Sequence, residues 1–180
     1  MNKYDFTIIA SGLDPEADDF ETRFFEAGCD DASISFQKGH ILIDVAREAS
    51  SLVEAIVTAV ANVRAAGATV ERVEPDPLVS LRDIATRSEL SPAAISNYAK
   101  GLRLEGEGFP PAKLRVTTPS PLWDWADVAE WLFRQGRIDR ETAMEAAVVS
   151  AANEALDDQG GNEFSSSLNE HLKERQEALA

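Results

Sequence analysis

Apolar residues along this chain recur at two spacings, about every second position and about every 3.6 positions, which predicts alternating strands and helices. Tyr4 to Ala10 alternates enough to form a strand. A helical spacing then opens at Leu13 or Asp14 and runs to Gly28, with Phe20, Phe24 and Phe25 on one face. Asp30 to Phe36 and His40 to Val45 read as two strands around a turn at Gln37-Lys38-Gly39. Ser51 with Glu54 makes a capping box. The helix behind it places Leu52, Ile56, Val60 and Val63 on one side and ends near Gly67. Thr69 to Val73 is a last strand.

The resulting order, βαββαβ, resembles a ferredoxin-like split βαβ sandwich. That architecture serves many unrelated activities, so it constrains function little. Open sheet edges in such domains often pair, and relatives of the fold dimerise or bind small effectors. Pro75-Asp76-Pro77 reads as a short, stiff linker.

Residues 79–100, VSLRDIATRSELSPAAISNYAK, predict two short helices joined by a tight turn, the spacing of a helix-turn-helix. Ile84 and Ala85 fall on the inner face of the first helix, Leu90 plugs the turn, and Ile95 and Tyr98 fall on the inner face of the second. Ser91 is placed to cap that second helix, and Pro92 to occupy its first position, where a missing N–H costs nothing. The outer face then carries Ala93, Ser96, Asn97 and Lys100. Small residues allow close approach to base edges, an Asn pairs with an adenine edge, and a Lys reaches a guanine or a phosphate. Arg82 and Arg87 would hold the DNA backbone and fix the register. The competing reading is a helical hairpin inside a core with an ordinary polar outside.

Downstream, residues 101–111 are rich in Gly and Pro and predict a loop or hairpin tip. Lys113 to Thr117 alternates basic and apolar residues as a short strand would. Asp124, after Trp123, is placed to cap a helix running to about Arg134. Ser80-Leu81-Arg82-Asp83-Ile84-Ala85, Leu90-Ser91, Ile95-Ser96, Phe109-Pro110, Ser120-Pro121-Leu122-Trp123 and Val128-Ala129-Glu130-Trp131-Leu132 together resemble the winged helix-turn-helix of MerR-like and excisionase-like DNA-binding proteins. The resemblance covers about a third of the chain, Leu78 to about Gly136. It implies that the outer face of Pro92 to Lys100, Ser91 included, is the recognition surface. It also implies that Arg103, Lys113 and Arg115 sit in or beside a wing and touch phosphates or the minor groove. Two positions depart from the pattern. Glu89 stands in the turn where such motifs often have Gly, and a left-handed backbone is mildly strained in Glu. Glu105 and Glu107 make the wing less basic than a strong phosphate binder. Trp123 and Trp131 are expected to close the small core; Trp125 reads equally as core or as a stacking platform.

Charge refines the picture. The chain holds 17 Lys and Arg against 32 Asp and Glu, a net of −15. Residues 1–77 carry a net of −9, residues 141–180 a net of −7, and residues 78–140 a net of +1. The one stretch that is not acidic is the one with the DNA-binding pattern. Few phosphates can be neutralised, which excludes a non-specific coat protein and leaves a specific, dimeric reader.

Asp139 to Asp158 predicts a helix with Met144, Val148 and Leu156 as larger anchors, and Gly160-Gly161 breaks it. Ser165 to Leu179 predicts a second helix with Leu168, Leu172 and Leu179 on one stripe, read either as a solvated tail or as a docking element for a partner. Catalytic signals are weak. His40 and His171 lie in different segments, neither with a second His at metal spacing. Cys29 is the single cysteine, which excludes an intramolecular disulfide or a zinc cluster, and it reads as a structural, buried thiol. Asp14, Glu16, Asp18 and Asp19 lack the Gly and final Glu of a calcium loop. No phosphate loop, nucleophile elbow or dinucleotide fingerprint is present.

The sequence thus predicts an α+β protein in three parts: a ferredoxin-like domain over 1–76 for dimerisation or sensing, a winged helix-turn-helix over 77–137, and an acidic helical tail over 138–180. The expected role is a cytoplasmic transcriptional regulator, nucleoid-associated when bound. It would be a dimeric repressor acting by operator occlusion on double-stranded DNA, without catalysis, cofactor, metal or membrane. The alternative is an adaptor or antitoxin-like inhibitor that holds a protein partner through its acidic segments. An effector sensor, in which the first domain binds a small ligand and shifts DNA affinity, is a third reading.

Overall fold

A computed structural model describes residues 1–102, 108–158 and 163–180. The chain is mixed α+β. Its described elements run β1 (Asn2–Ser11), α1 (Phe20–Glu26), β2 (Ala32–Gln37), β3 (His40–Ala49), α2 (Leu52–Ala65), β4 (Thr69–Glu74), β5 (Leu78–Val79), α3 (Leu81–Arg87), α4 (Pro92–Ala99), β6 (Trp123–Asp124), α5 (Trp125–Arg134), α6 (Arg140–Asp157) and α7 (Phe164–Ala178). It divides into two compact units, one of Met1–Pro75 with Ala151–Leu172 and one of Asp76–Ser150 with Lys173–Ala180. The segment 138–180, read above as a tail, is therefore shared between the units.

In the first unit the strands form an antiparallel sheet in the order β2-β3-β1-β4. The β2–β3 turn uses Lys38 at φ 51° and Gly39 at φ 83°, so two left-handed residues let Gln37 pair directly with His40. Alternation puts Phe6, Ile8 and Ala10 of β1, and Ile41, Ile43 and Val45 of β3, into the core. They meet Ile56, Val60 and Val63 of α2 and Phe20 and Phe24 of α1 there, all buried.

Three expectations are corrected here. α1 begins at Phe20, because residues 14–19 form turns: the Asp14 carboxylate accepts from the Glu16 N–H, and the Phe20 N–H reaches back to the Ala17 carbonyl. Phe25 is not on the buried face with Phe20 and Phe24. It stands one position past Phe24, about 100° round the helix, and is 69% exposed. At α2 the Ser51 hydroxyl accepts from the Glu54 N–H as a cap should, but the Glu54 carboxylate turns to the Ser50 N–H and hydroxyl. The reciprocal half of the box is thus displaced by one residue.

The charged member of this core is Arg47 on β3, 8% exposed. Its Nε and Nη2 donate to the two Asp31 carboxylate oxygens at 2.7 and 2.8 Å. Nη1 donates to Thr58 Oγ1 at 3.0 Å and Asn62 Oδ1 at 2.8 Å, and Nη2 also donates to the Gly28 carbonyl at 3.1 Å. Every N–H of the guanidinium therefore has an acceptor. Gly28, at φ 92°, is required by this arrangement: a Cβ there would lie 2.9 Å from the Asn62 amide nitrogen, which itself donates to the Ala27 carbonyl. The hydrogen bonds from Arg47 hold the Asp31 carboxyl below its ordinary value. Next to this cluster, burial pushes the Cys29 thiol up, against the lowering effect of Arg47.

Within the acidic C-terminal segment, α6 and α7 bury apolar residues. Phe164, Leu168 and Leu172 of α7 are buried, and the Arg64 guanidinium sits 5.4 Å from the Phe164 ring. In α6 the alanines are buried, together with Val148, Val149 and Ser150, while Met144 and Leu156 are only half-buried. No helix of the described residues is long and apolar enough to cross a membrane.

Replacing Arg47 by Met should destabilise the first unit by about 2–3 kcal/mol, since the partly exposed Asp31 and the acceptors of Thr58, Asn62 and Gly28 lose a charged donor. Urea denaturation at pH 7 followed by far-ultraviolet circular dichroism measures this. Asp31 has a lowered native pKa, so its contribution is present above the ordinary carboxylate value and is lost as pH falls through the native one. The gap between wild type and Arg47→Met should therefore narrow in acid.

Candidate nucleic-acid interface

The second unit builds its site from short elements. α3 opens on a complete capping box: the Asp83 N–H donates to the Ser80 hydroxyl at 3.2 Å, and the Ser80 N–H donates to the Asp83 carboxylate at 2.8 Å. The Ser80 hydroxyl also donates to that carboxylate at 2.6 Å, and this bond, with the one from the Ser80 N–H, holds the Asp83 carboxyl below its ordinary value. α4 opens on Ser91, whose hydroxyl accepts from the Ala94 N–H at 3.1 Å, with Pro92 in the first turn. Between them Glu89 adopts φ 55°, the left-handed backbone usually given to Gly.

Ile84 and Ala85 of α3, and Ile95 and Tyr98 of α4, are buried, and Leu90 packs against the same core. That core is closed by aromatic rings. Trp131 on α5 meets Tyr98 at 5.4 Å and Phe109 at 5.2 Å between ring centroids, both edge-on, and Phe109 meets Trp123 at 6.2 Å. The Trp123 indole N–H donates to the Pro110 carbonyl at 3.1 Å. All three tryptophans are buried, Trp125 included. Two residues each of β5 and β6 pair antiparallel, Val79 opposite Trp123, which ties the start of α3 to the start of α5.

Burial of Ile95 and Tyr98 turns the other side of α4 outward. Ala93 and Lys100 are exposed and Ser96 and Asn97 half-buried, with spacing that puts all four on one helical face. Arg82 is exposed on α3. Arg87 is placed differently: its guanidinium lies 5.6 Å from the Trp125 ring and links the end of α3 to the start of α5. Ser91 is engaged as the cap of α4. Arg103 lies outside the described residues, as do Glu105 and Glu107.

The predicted strand at Lys113–Thr117 is reduced to one bridge, Leu114 opposite Leu122. The Leu122 N–H donates to the Leu114 carbonyl at 2.9 Å, and the chain then turns, with Arg115 at φ 54° and its carbonyl accepting from the Thr118 N–H. Pro119 and Pro121 lack the N–H groups that a longer ladder needs. Arg115 is exposed at this turn. The Lys113 ammonium donates to the Asp124 carboxylate at 2.9 Å, a bond that raises the Lys113 pKa. The other Asp124 oxygen caps α5 by accepting from the Ala126 N–H at 2.9 Å. Sequence reasoning placed the Asp124 cap but missed its lysine, which is eleven residues away and carries no local signal.

The chain matches no family model, no curated protein and no solved structure.

Two outcomes follow from this geometry. Glu89→Gly should raise stability by about 0.5–1 kcal/mol by relieving the left-handed backbone, read as a higher midpoint in thermal denaturation. Asp124→Ala should cost about 1–2 kcal/mol through the lost α5 cap, whereas Asp124→Asn should retain most of it.

Proposed function

We propose that this protein is a sequence-specific DNA-binding transcriptional regulator, a dimeric repressor that acts by occluding its operator. The observation that carries the reading is the α3–turn–α4 arrangement. Ile95 and Tyr98 are buried on one side of α4, and Ala93, Ser96, Asn97 and Lys100 are presented on the other. An eight-residue helix with small residues at its leading end fits a major groove, with Asn97 aimed at an adenine edge and Lys100 at a guanine or phosphate. The bridge at Leu114–Leu122 followed by the aromatic α5 supports reading this unit as a winged helix-turn-helix, with Arg115 at the wing. The strand order β2-β3-β1-β4 supports reading the first unit as a ferredoxin-like sandwich. Arg82 is the phosphate contact on α3 in this reading. Arg87 and Lys113 act by holding the motif together, since each is tied to a partner in the fold.

The net charge of −15 favours a second reading, an adaptor or antitoxin-like inhibitor holding a basic protein partner through its acidic segments. Selection of genomic fragments by the purified protein at physiological salt separates the two. Enrichment of one short inverted repeat supports the regulator, and no enrichment by well-folded protein supports the adaptor. On the enriched site, Asn97→Ala should weaken binding by about 1–3 kcal/mol and relax one base position, while Lys100→Ala should reduce the salt slope by about 1 if it meets a phosphate. Unchanged affinity in both variants removes α4 as the recognition helix.

A further inference from the structure

The two edges of the β2-β3-β1-β4 sheet are treated differently. At the β4 edge the Asn153 carboxamide accepts from the Val73 N–H at 2.8 Å and donates to the Val73 carbonyl at 2.9 Å, so a side chain takes the place of a further strand. β4 also carries Glu71, Arg72 and Glu74, charges that discourage pairing with another chain. Among the described residues nothing gives the β2 edge either protection. Its residues, Ala32-Ser33-Ile34-Ser35-Phe36-Gln37, carry no charge in a chain of net −15. Phe36 is 46% exposed, and Ile34 lines a surface depression with the exposed Phe25.

The register of β2 on β3 says which backbone groups face outward. The Ala46 N–H donates to the Asp31 carbonyl, and Ala32 pairs with Val45 and Gln37 with His40. Antiparallel alternation then turns the polar groups of Ser33, Ser35 and Gln37 toward β3 and those of Ile34 and Phe36 away from it. Ala32 also faces outward, but its N–H donates to the Cys29 carbonyl.

We propose that β2 pairs antiparallel with β2 of a second copy of this chain, about a two-fold axis at Ser35. In that register Ile34 stands opposite Phe36 of the second copy, and each such pair exchanges both backbone hydrogen bonds. Ile34 and Phe36 lie on the core side of the sheet, opposite Ile43 and Ile41 of β3, so the apolar layer continues across the axis. Charge agrees with the same register. Beyond the strand ends, Lys38 of one copy comes level with Ala32 of the other, beside its exposed Asp30, and this happens once at each end. A shift of the axis to Ile34 would bring the already engaged Ala32 N–H into the ladder. This pairing would supply the two-fold axis of a palindromic reader, yet it stands on the sheet edge alone and is tested without DNA.

Sedimentation equilibrium of the full chain should give twice the chain mass at micromolar concentration. Phe36→Lys should raise the dimer dissociation constant about tenfold or more, with an unchanged circular dichroism spectrum because the side chain is exposed. Lys38→Glu should weaken the dimer, and adding Asp30→Lys should restore it. On mild oxidation Ser35→Cys should cross-link two chains faster than Ser33→Cys, since the axis puts residue 35 against its own copy and Cys29 is buried. A monomer at all concentrations, a dimer indifferent to Phe36→Lys, or faster cross-linking at residue 33 would overturn the proposal.

Discussion

Helices as short as α3 and α4 have no stability of their own in water, so the direction in which α4 points is set by what its inner face touches. That inner face is Ile95 and Tyr98, and Tyr98 rests edge-on against Trp131. Trp131 in turn meets Phe109, and Phe109 meets Trp123, whose indole is anchored on the Pro110 carbonyl. The candidate recognition face is thus positioned by a chain of aromatic contacts on the far side of the helix. Rings suit this task, because they bury much area with few rotatable bonds and prefer a small set of mutual orientations. Asn97 can be aimed only because Tyr98, its neighbour in sequence, is fixed.

Local rules were readable in the sequence wherever they were sufficient. Ser91 and Pro92 at the start of α4 and Asp124 at the start of α5 are dictated by backbone groups within a few residues, and each is placed as read; the turn read at Gln37-Lys38-Gly39 narrows to Lys38 and Gly39, because Gln37 pairs with His40 in the ladder. The left-handed Glu89 was also visible, because a tight turn there demands that backbone. What the sequence concealed depends on partners distant in the chain. Asp31, Thr58 and Asn62 converge on Arg47 from separate elements. Lys113 is drawn to Asp124, and Arg87 to Trp125. For α7 the stripe of Leu168 and Leu172 said which face would be buried, but an amphipathic stripe does not say against what. Phe25 was misplaced because a run of two phenylalanines invites both into a core that one helical turn can reach with only one of them.

The candidate interface is also instructive in its economy of charge. Of the five described basic residues between Arg82 and Arg115, two are engaged within the fold, Arg87 over a ring and Lys113 on a carboxylate. In the proposed function, a surface of this kind would gain little from phosphate neutralisation and would rely on base edges and shape. In the proposed function, low affinity for arbitrary sequence would come from the protein's composition.

The aromatic and thiol groups happen to be sorted by unit. Trp123, Trp125 and Trp131 all belong to the unit of Asp76–Ser150, while Cys29, the single cysteine, lies buried in the unit that begins at Met1. Burial shields that thiol and pushes its pKa up, so its alkylation waits on local opening of the sheet unit. Indole emission, by contrast, follows only the helical unit. One unlabelled chain therefore carries two spectrally and chemically separate clocks, and the order in which its halves come apart can be timed without altering a residue.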